Sequence, residues 1–340
     1  MRHLLFALSM SLLGCGTSNP VDPGPPDAPP ISGDKYELHW GPVTVQPGVE
    51  NTQCVVLRLS NTAAIKVHQM HNILGPGSHH VIVYRDDMDT TEMTTPFDCQ
   101  PFTGALNPSG MVAPMMITQK ADDLLTLPDG VAYTLAATQM IRIEMHYINS
   151  TDAAITAQAT TQFYAADEAT IHDEANILFI GSPDVMLPPN AMTTVHEFFQ
   201  PGGTYAPVDL SAAKFFAITG HTHKLGTQVQ VNTAPSKTGA MTSVYNPSPF
   251  VWSEPETATH KPEFTLPAGG GFDFTCQYNN TTANTVKFGE SANAEMCFFW
   301  AYYYPSKGAH VCFHTNQVGG ASGIDLCCPD AGATLCNMIK

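Results

Sequence analysis

The sequence is short of charge, and of positive charge most of all. Charged residues fill 13% of its 340 positions, with 14 Lys and Arg against 30 Asp and Glu, for a formal net charge of −16. Phosphate backbones would repel such a chain, which argues against nucleic acid as a partner. Long hydrophobic runs are also lacking: the apolar stretch from Leu4 to Leu13 is far too short to span a bilayer. No segment sustains a helical apolar period over many turns, which argues against a helical bundle. No Cys-x-x-Cys occurs among the nine cysteines, so a thiolate metal site in the Cys-rich end is the weaker reading of those residues. What is plentiful is apolar material, 43% of the chain, ample for a core.

The first residues have the form of a targeting segment. Arg2, the apolar run and the ending Leu12-Leu13-Gly14-Cys15 read as a secretory signal that resembles a bacterial lipobox. Residues 1–15 are therefore expected to be a lipoprotein signal with Cys15 lipidated; an ordinary signal peptide is the competing reading. Gly16 after the Cys, in place of Asp, points to an exported lipoprotein at the outer membrane or cell surface, attached through its N-terminal lipid. Residues 16–33, with Val21-Asp22-Pro23-Gly24-Pro25-Pro26 and Ala28-Pro29-Pro30, form a Pro-rich linker that is extended and semi-rigid. Eight cysteines remain after Cys15, an even number that reads as four disulfides formed in an oxidising compartment. The vicinal Cys327 and Cys328 are expected to pair outward to different partners.

The body reads as all-β. Ile141 to Tyr147 and Ile155 to Phe163 alternate apolar and polar residues, Gln228 to Val231 and Met296 to Tyr304 look like further strands, and Gly/Pro/Asp turn signals separate them. The pattern predicts antiparallel β-sandwiches. A polar stretch at Ala165 to Thr170, followed by apolar Ile177 to Ile180, marks a boundary. The expected organisation is one domain over 34–170, a second over 171–310, and a disulfide-rich tail over 311–340.

Histidines carry the chemistry. His221 and His223 are two apart, so in a strand both rings leave the same face and form a natural chelating pair. His79 and His80 are adjacent and serve one metal only if the backbone bulges; Gly75-Pro76-Gly77-Ser78 before them supplies that freedom. His146 shares the polar face of its strand with Glu144 and Arg142, and Glu144 is a candidate to orient its ring. Met296, in Glu295-Met296-Cys297, adds a thioether, a soft ligand that favours Cu(I). Five imidazoles and one thioether suit copper better than zinc. The bland alternatives are surface His pairs and structural histidines. His68 and His71 read as solvated edge-strand residues, and His310 and His314 as surface residues.

In order and spacing, His79-His80, Met145-His146-Tyr147, His221-Thr222-His223-Lys224-Leu225-Gly226 and Glu295-Met296-Cys297 leading to Tyr302-Tyr303-Tyr304 resemble the copper type II, ascorbate-dependent monooxygenases. That group contains the peptidylglycine α-hydroxylating and dopamine β-monooxygenases. The resemblance spans roughly Tyr36 to Phe313. It implies two jelly-roll-like β-sandwich domains with a solvent-filled cleft between two coppers. His79, His80 and His146 would hold an electron-transfer copper; His221, His223 and Met296 would hold the oxygen-binding copper and be catalytic. It further implies two copper ions per chain, ascorbate or an equivalent one-electron donor, O2, and a small-molecule or peptide substrate hydroxylated at a C–H bond. Cys276 with Cys297 and Cys54 with Cys99 would be family disulfides, leaving the last four cysteines to pair among themselves.

The substrate side departs from the peptide-hydroxylating members. Their carboxylate-anchoring Arg, two residues before the His-x-His pair, is Thr219 here. If Met296 faces a metal, alternation puts Phe298, Trp300 and Tyr302 on the same face, where they would line a pocket for an apolar or aromatic substrate; the plainer reading is that they fill a core. A non-catalytic surface lipoprotein that stores, delivers or senses copper is the functional alternative.

Overall fold

The computed structural model describes residues 33–99, 112–289, 291–318, 323–328 and 330–337. Cys15, the expected signal and all of the linker but Gly33 lie outside them. The first half is built from β1 (Lys35–Val45), β2 (Glu50–Arg58), β3 (Ile65–Leu74), β4 (Ser78–Asp86), β5 (Met93–Asp98), β6 (Val112–Thr118), β7 (Asp122–Thr126), β8 (Val131–Leu135), β9 (Met140–Ile148), β10 (Ile155–Ala166) and β11 (Asp173–Glu174). One sheet runs β1-β10-β3-β8-β11, with β7 also paired to β3, and the sheet facing it runs β5-β2-β9-β4-β6.

The second half comprises β12 (Asn176–Ser182), β13 (Met186–Leu187), β14 (Ala191–Phe199), β15 (Lys214–His221), β16 (Gly226–Ala234), β17 (Thr242–Tyr245), β18 (Thr257–Phe264), β19 (Gly271–Asn280), β20 (Val286–Lys287), β21 (Cys297–Tyr304), β22 (His310–Thr315), β23 (Ile324–Cys328) and the short α1 (Ala333–Asn337). Its sheets run β18-β15-β21-β12-β22-β23 and β14-β19-β16-β17, with β13 and β20 as a small ribbon. Pairing is antiparallel apart from β11 on β8 and β22 on β12. The all-β, two-sandwich expectation holds, with the strand division at Ala175.

The tail is not an appendage. β22 and β23 are the outer strands of the second half's six-stranded sheet, and β22 is buried along its whole length. Burial on both faces erases the alternation by which a strand is recognised. Cys312–Cys327 staples this pair and Cys328–Cys336 ties α1 to β23. The family pairs Cys54–Cys99 and Cys276–Cys297 are both present.

That six-stranded sheet is the central layer of the molecule. Along β21 the odd residues Cys297, Phe299, Ala301 and Tyr303 enter the core of the second sandwich. The even residues Phe298, Trp300, Tyr302 and Tyr304 turn the other way and join a core continuous with the first sandwich. β12 divides likewise, with Leu178 and Ile180 on one side and Ile177 and Phe179 on the other. The seam between the halves is therefore dry: Tyr302 is buried there, and its hydroxyl accepts from the Ile117 backbone N–H of β6 at 3.1 Å. Each large aromatic so buried contributes about 1.5–3 kcal/mol of transfer free energy.

Candidate metal centre

The first His set depends on a bulge. The β4–β9 register shifts between Ser78 and His80, and Gly77, at φ +76°, has no room for a Cβ beside Ile155 and the Ile148 carbonyl. The irregularity lets His79 and His80 point to one place, beside His146 of β9, which pairs with His80. Ring centres lie 5.4 Å apart for His79 and His80, 5.2 Å for His79 and His146 and 5.0 Å for His80 and His146. The potential ligand atoms of the three fall within 4.8 Å of one another.

The second set sits at the end of β15. Gly220 packs so closely on Val229 and Tyr245 that any side chain there would collide with them, so the strand's other face carries the ligands. His221 and His223 have ring centres 5.2 Å apart. Glu295, fully buried, accepts from the backbone N–H groups of His223 and Leu225 at 2.9 and 2.7 Å, which fixes the segment before Met296 against the His-x-His turn. Burial pushes the Glu295 carboxyl up to about 7, and those backbone donors oppose the rise. His221 pairs with Phe298 in the β15–β21 register, and continuing that register places position 296 opposite 223. Met296 is buried, and its carbonyl accepts from the Tyr278 hydroxyl at 2.6 Å.

The two sets are contiguous. His79 of the first sandwich and His223 of the second have ring centres 6.2 Å apart, little more than the spacing within each set. The expected solvent-filled cleft between them is corrected: the aromatic seam closes the halves on each other, and all five imidazoles and Met296 are buried.

Partners of the rings select the nitrogen each offers. Glu50 Oε1 lies 3.0 Å from His146 Nε2. A carboxylate only accepts, so that nitrogen carries the proton and Nδ1 is left for a metal. The Ala294 carbonyl likewise takes the Nδ1–H of His223 at 3.0 Å, and Gln119 Oε1 that of His221 at 2.9 Å, so both present Nε2. Such outer contacts fix tautomer and ring direction. Glu50 Oε1 also accepts from the Ala292 N–H at 3.0 Å, and Gln119 follows β6, so residues of the first half orient or tether the second half's ligands. Burial is the main cause that holds the imidazoles neutral, His79 at about 3 and His223 at about 4, with His80, His146 and His221 also lowered. Neutral imidazole is the form that binds metal.

Glu144 lies beneath His146 on β9, wholly buried, and accepts from the Tyr84 hydroxyl at 2.8 Å; the carboxylate on His146 is that of Glu50, which no local pattern announces. The Thr219 hydroxyl is engaged with that of Thr257 at 2.9 Å. Phe298 stacks on Phe179 with ring centres 4.9 Å apart, and Tyr302 bonds β6, so these two belong to the seam rather than to an open pocket. Trp300 borders the site, 6.1 Å from the His221 ring. His310 and His314 are buried rather than on the surface, His314 between Asp325 and Glu197, and β3, which carries His68 and His71, is an interior strand. Trp252, unremarked in the sequence, has its ring centre 6.0 Å from that of His79.

Two β-sandwiches thus gather five buried imidazoles into a candidate metal centre, with Met296 buried in the neighbouring strand register. Residues 173–320 match the family model described as copper type II ascorbate-dependent monooxygenase, C-terminal domain, so over this segment the chain is similar to that copper- and ascorbate-dependent family. The segment contains His221, His223 and Met296; His79, His80 and His146 precede it. No curated protein matches. Among solved structures, similarity extends to an archaeal virus protein with a triple jelly roll fold and turret assembly, at 9% identity and TM-score 0.22, over 76% of this chain and 60% of that one. A structure of infectious bursal disease virus, Gx strain, gives 8% identity and TM-score 0.17, over 81% and 72%. Likeness at this level bears on neither architecture nor activity. The chain spans 60% of the length of the first of these structures.

Proposed function

We propose that the protein is a copper-dependent monooxygenase that hydroxylates a C–H bond of an apolar or aromatic substrate, using O2 and a one-electron donor such as ascorbate. One observation carries the reading: five buried imidazoles, lowered toward the neutral form by burial, converge from two sandwiches on one place, and the strand register carries Met296 opposite His223. The donor set fits copper. The buried Nε2 of His79 has no hydrogen-bond partner among the described residues, which is costly unless a metal or bound molecule engages it.

His79, His80 and His146 would hold one copper and His221, His223 and Met296 the other. Bound copper would supply one-electron transfer and O2 activation. The chain's own work is positional. Glu50 and the Ala294 carbonyl keep protons on the outward nitrogens of His146 and His223, and Gln119 does the same for His221. Met296 offers a ligand that stabilises Cu(I). The dry seam of Phe298, Trp300 and Tyr302 keeps bulk water from one side of the site. Thr219, its hydroxyl spent on Thr257, offers no cationic anchor for a carboxylate, which favours an uncharged, apolar substrate. Export with lipidation at Cys15 would place this chemistry at a cell surface.

Metal analysis should give two coppers per chain, and ascorbate with copper should drive oxygen uptake that rises with a turned-over substrate and yields a product heavier by one oxygen. Met296→Ile should keep the three-His copper and abolish coupled hydroxylation. Copper uptake without any ascorbate-dependent turnover across a broad panel of apolar and aromatic candidates would favour the storage or delivery alternative.

A further inference from the structure

One side chain stands at the edge of this buried centre. His79 is the most exposed of the five imidazoles, at 8% against 1% for His223. The ring over it is Trp252, half-buried, tilted 57° to the imidazole with centres 6.0 Å apart. Trp252 belongs to the second sandwich, while His79 belongs to the first. An aromatic ring that touches a buried cluster on one side and solvent on the other stands at that cluster's boundary.

The segment that carries Trp252 is fastened at its ends and lightly held at its tip. It joins β17 to β18. At its base Gln228 Nε2 donates to Asn246 Oδ1 at 2.8 Å and to the Pro247 carbonyl at 2.9 Å. At its other end the Tyr245 hydroxyl donates to the Glu256 carbonyl at 2.9 Å. Phe250 packs on the second core. The tip is a turn closed by the Glu254 N–H on the Val251 carbonyl at 3.2 Å, with Trp252 inside it and Val251, Ser253 and Glu254 exposed. An open cavity of ≈ 480 Å³, lined by Ser243, Tyr245, Asn246, Pro247 and Glu256 among others, lies at the foot of the segment. Few buried contacts and firm ends are the features of a segment that opens locally without unfolding the domain.

We propose that Trp252 is the access-determining residue of the metal centre: a molecule reaches the imidazole cluster by displacing the indole from His79, and the displaced ring then forms one apolar wall of the entry. The proposal rests on the reading above for what enters, an apolar or aromatic substrate, but the gating itself is a property of the protein with or without metal.

The test uses the full metal-free chain and diethyl pyrocarbonate, which acylates neutral imidazoles, with the modified histidines quantified by peptide mass spectrometry. His39 and His172, with side chains 61% and 69% exposed, serve as internal references. Trp252→Ala should raise the rate at His79 relative to His39 by about tenfold, the effect of removing roughly 1.4 kcal/mol of local opening cost. Trp252→Phe, which keeps a ring there, should stay near the wild-type rate, and buried His314 should not change. Equal His79 rates in wild type and Trp252→Ala would overturn the proposal, as would a rise shared by His314 or one reproduced in full by Trp252→Phe. Copper stoichiometry of the same preparations separates the two ideas. Wild type that takes up no copper yet shows the His79 effect keeps its gate and loses the monooxygenase reading; two coppers with no His79 effect does the reverse.

Discussion

The imidazoles of His79 and His223 lie with ring centres 6.2 Å apart although one belongs to β4 of the first sandwich and the other follows β15 of the second. Neither half owns its site outright. Glu50 ties His146 to the Ala292 N–H, and Gln119 holds His221, so a change in one sandwich reaches ligands carried by the other.

Gln119 is the clearest test of that crossing. Its Oε1 fixes His221 Nδ1–H, and loss of such an outer partner typically costs about 10–100-fold in metal affinity. Gln119→Leu should therefore weaken copper at the His221/His223/Met296 set by that order while the three-His set keeps its affinity, measured by competition with a Cu(I) chelator. Equal weakening at both sets, or none at either, would show that Gln119 does not position His221.

The metal-free protein should be acid-sensitive. His79, near 3, and His223, near 4, titrate below their ordinary range because they are buried, and His80, His146 and His221 are lowered for the same main reason. Below about pH 6.5 the unfolded chain binds protons that the folded chain refuses, so stability falls as pH falls. The loss starts near 6.5 and levels off for each ring only below its folded value. Urea midpoints of the apoprotein should drop between pH 7 and pH 5, as the unfolding free energy falls by as much as about 1.4 kcal/mol per pH unit for each ring. Added copper, which binds the neutral rings, should flatten that slope. A midpoint that does not move in the apoprotein would contradict the burial of the cluster.

His314 should behave in the opposite sense. Burial lowers its pKa, but the hydrogen bond to Asp325 at 2.8 Å and the charges of Asp325 and Glu197 outweigh that, and the net shift is upward. Glu197 lies 3.3 Å from Nε2. A raised folded pKa means a contribution fully present below about pH 6.5 and lost as pH rises through the folded value. The five ligand histidines pull the other way, so the measurement is a difference: the stability gap between wild type and His314→Gln should be largest near pH 6 and shrink by pH 9. A gap that grows with pH would place an uncharged ring at this position.

How much of this was legible in the sequence can be argued residue by residue. The alternation in β10 shows because one face meets the core and period two survives; in β9 it shows in residue type alone, since the polar face with Glu144 and His146 is buried as well. His221 ends β15 and His223 lies in the turn just beyond it, so their pairing is made by that turn and not by strand alternation alone; Gly77 foretold the bulge that makes adjacent His79 and His80 usable together. Glu50 and Gln119 were invisible. Glu50 reaches His146 through the β2–β9 register, where it sits opposite Ile148, and no local pattern encodes a pairing across so much chain. Phe298, Trp300 and Tyr302 were assigned to the correct face of β21, but sequence does not say what covers a face; here the first sandwich covers it. The same two-sided burial hid β22 inside an apparent tail.

That seam supplies a further prediction. Phe298 is almost fully buried, stacked on Phe179 and set edge-on to Phe313 at 5.6 Å, in the sheet that both cores share. Phe298→Ala should cost about 3–5 kcal/mol, and the loss should appear in the unfolding of both sandwiches because the cavity opens between them. Tyr302→Phe removes only the hydroxyl that meets the Ile117 backbone and should cost about 0.5–1.5 kcal/mol. Guanidinium unfolding followed separately by fluorescence and by hydrogen exchange in β6 and β15 would report this. A Phe298→Ala protein in which β15 loses protection while β6 keeps it would mean that the halves fold as independent domains and that the shared core is a contact of convenience rather than their common support.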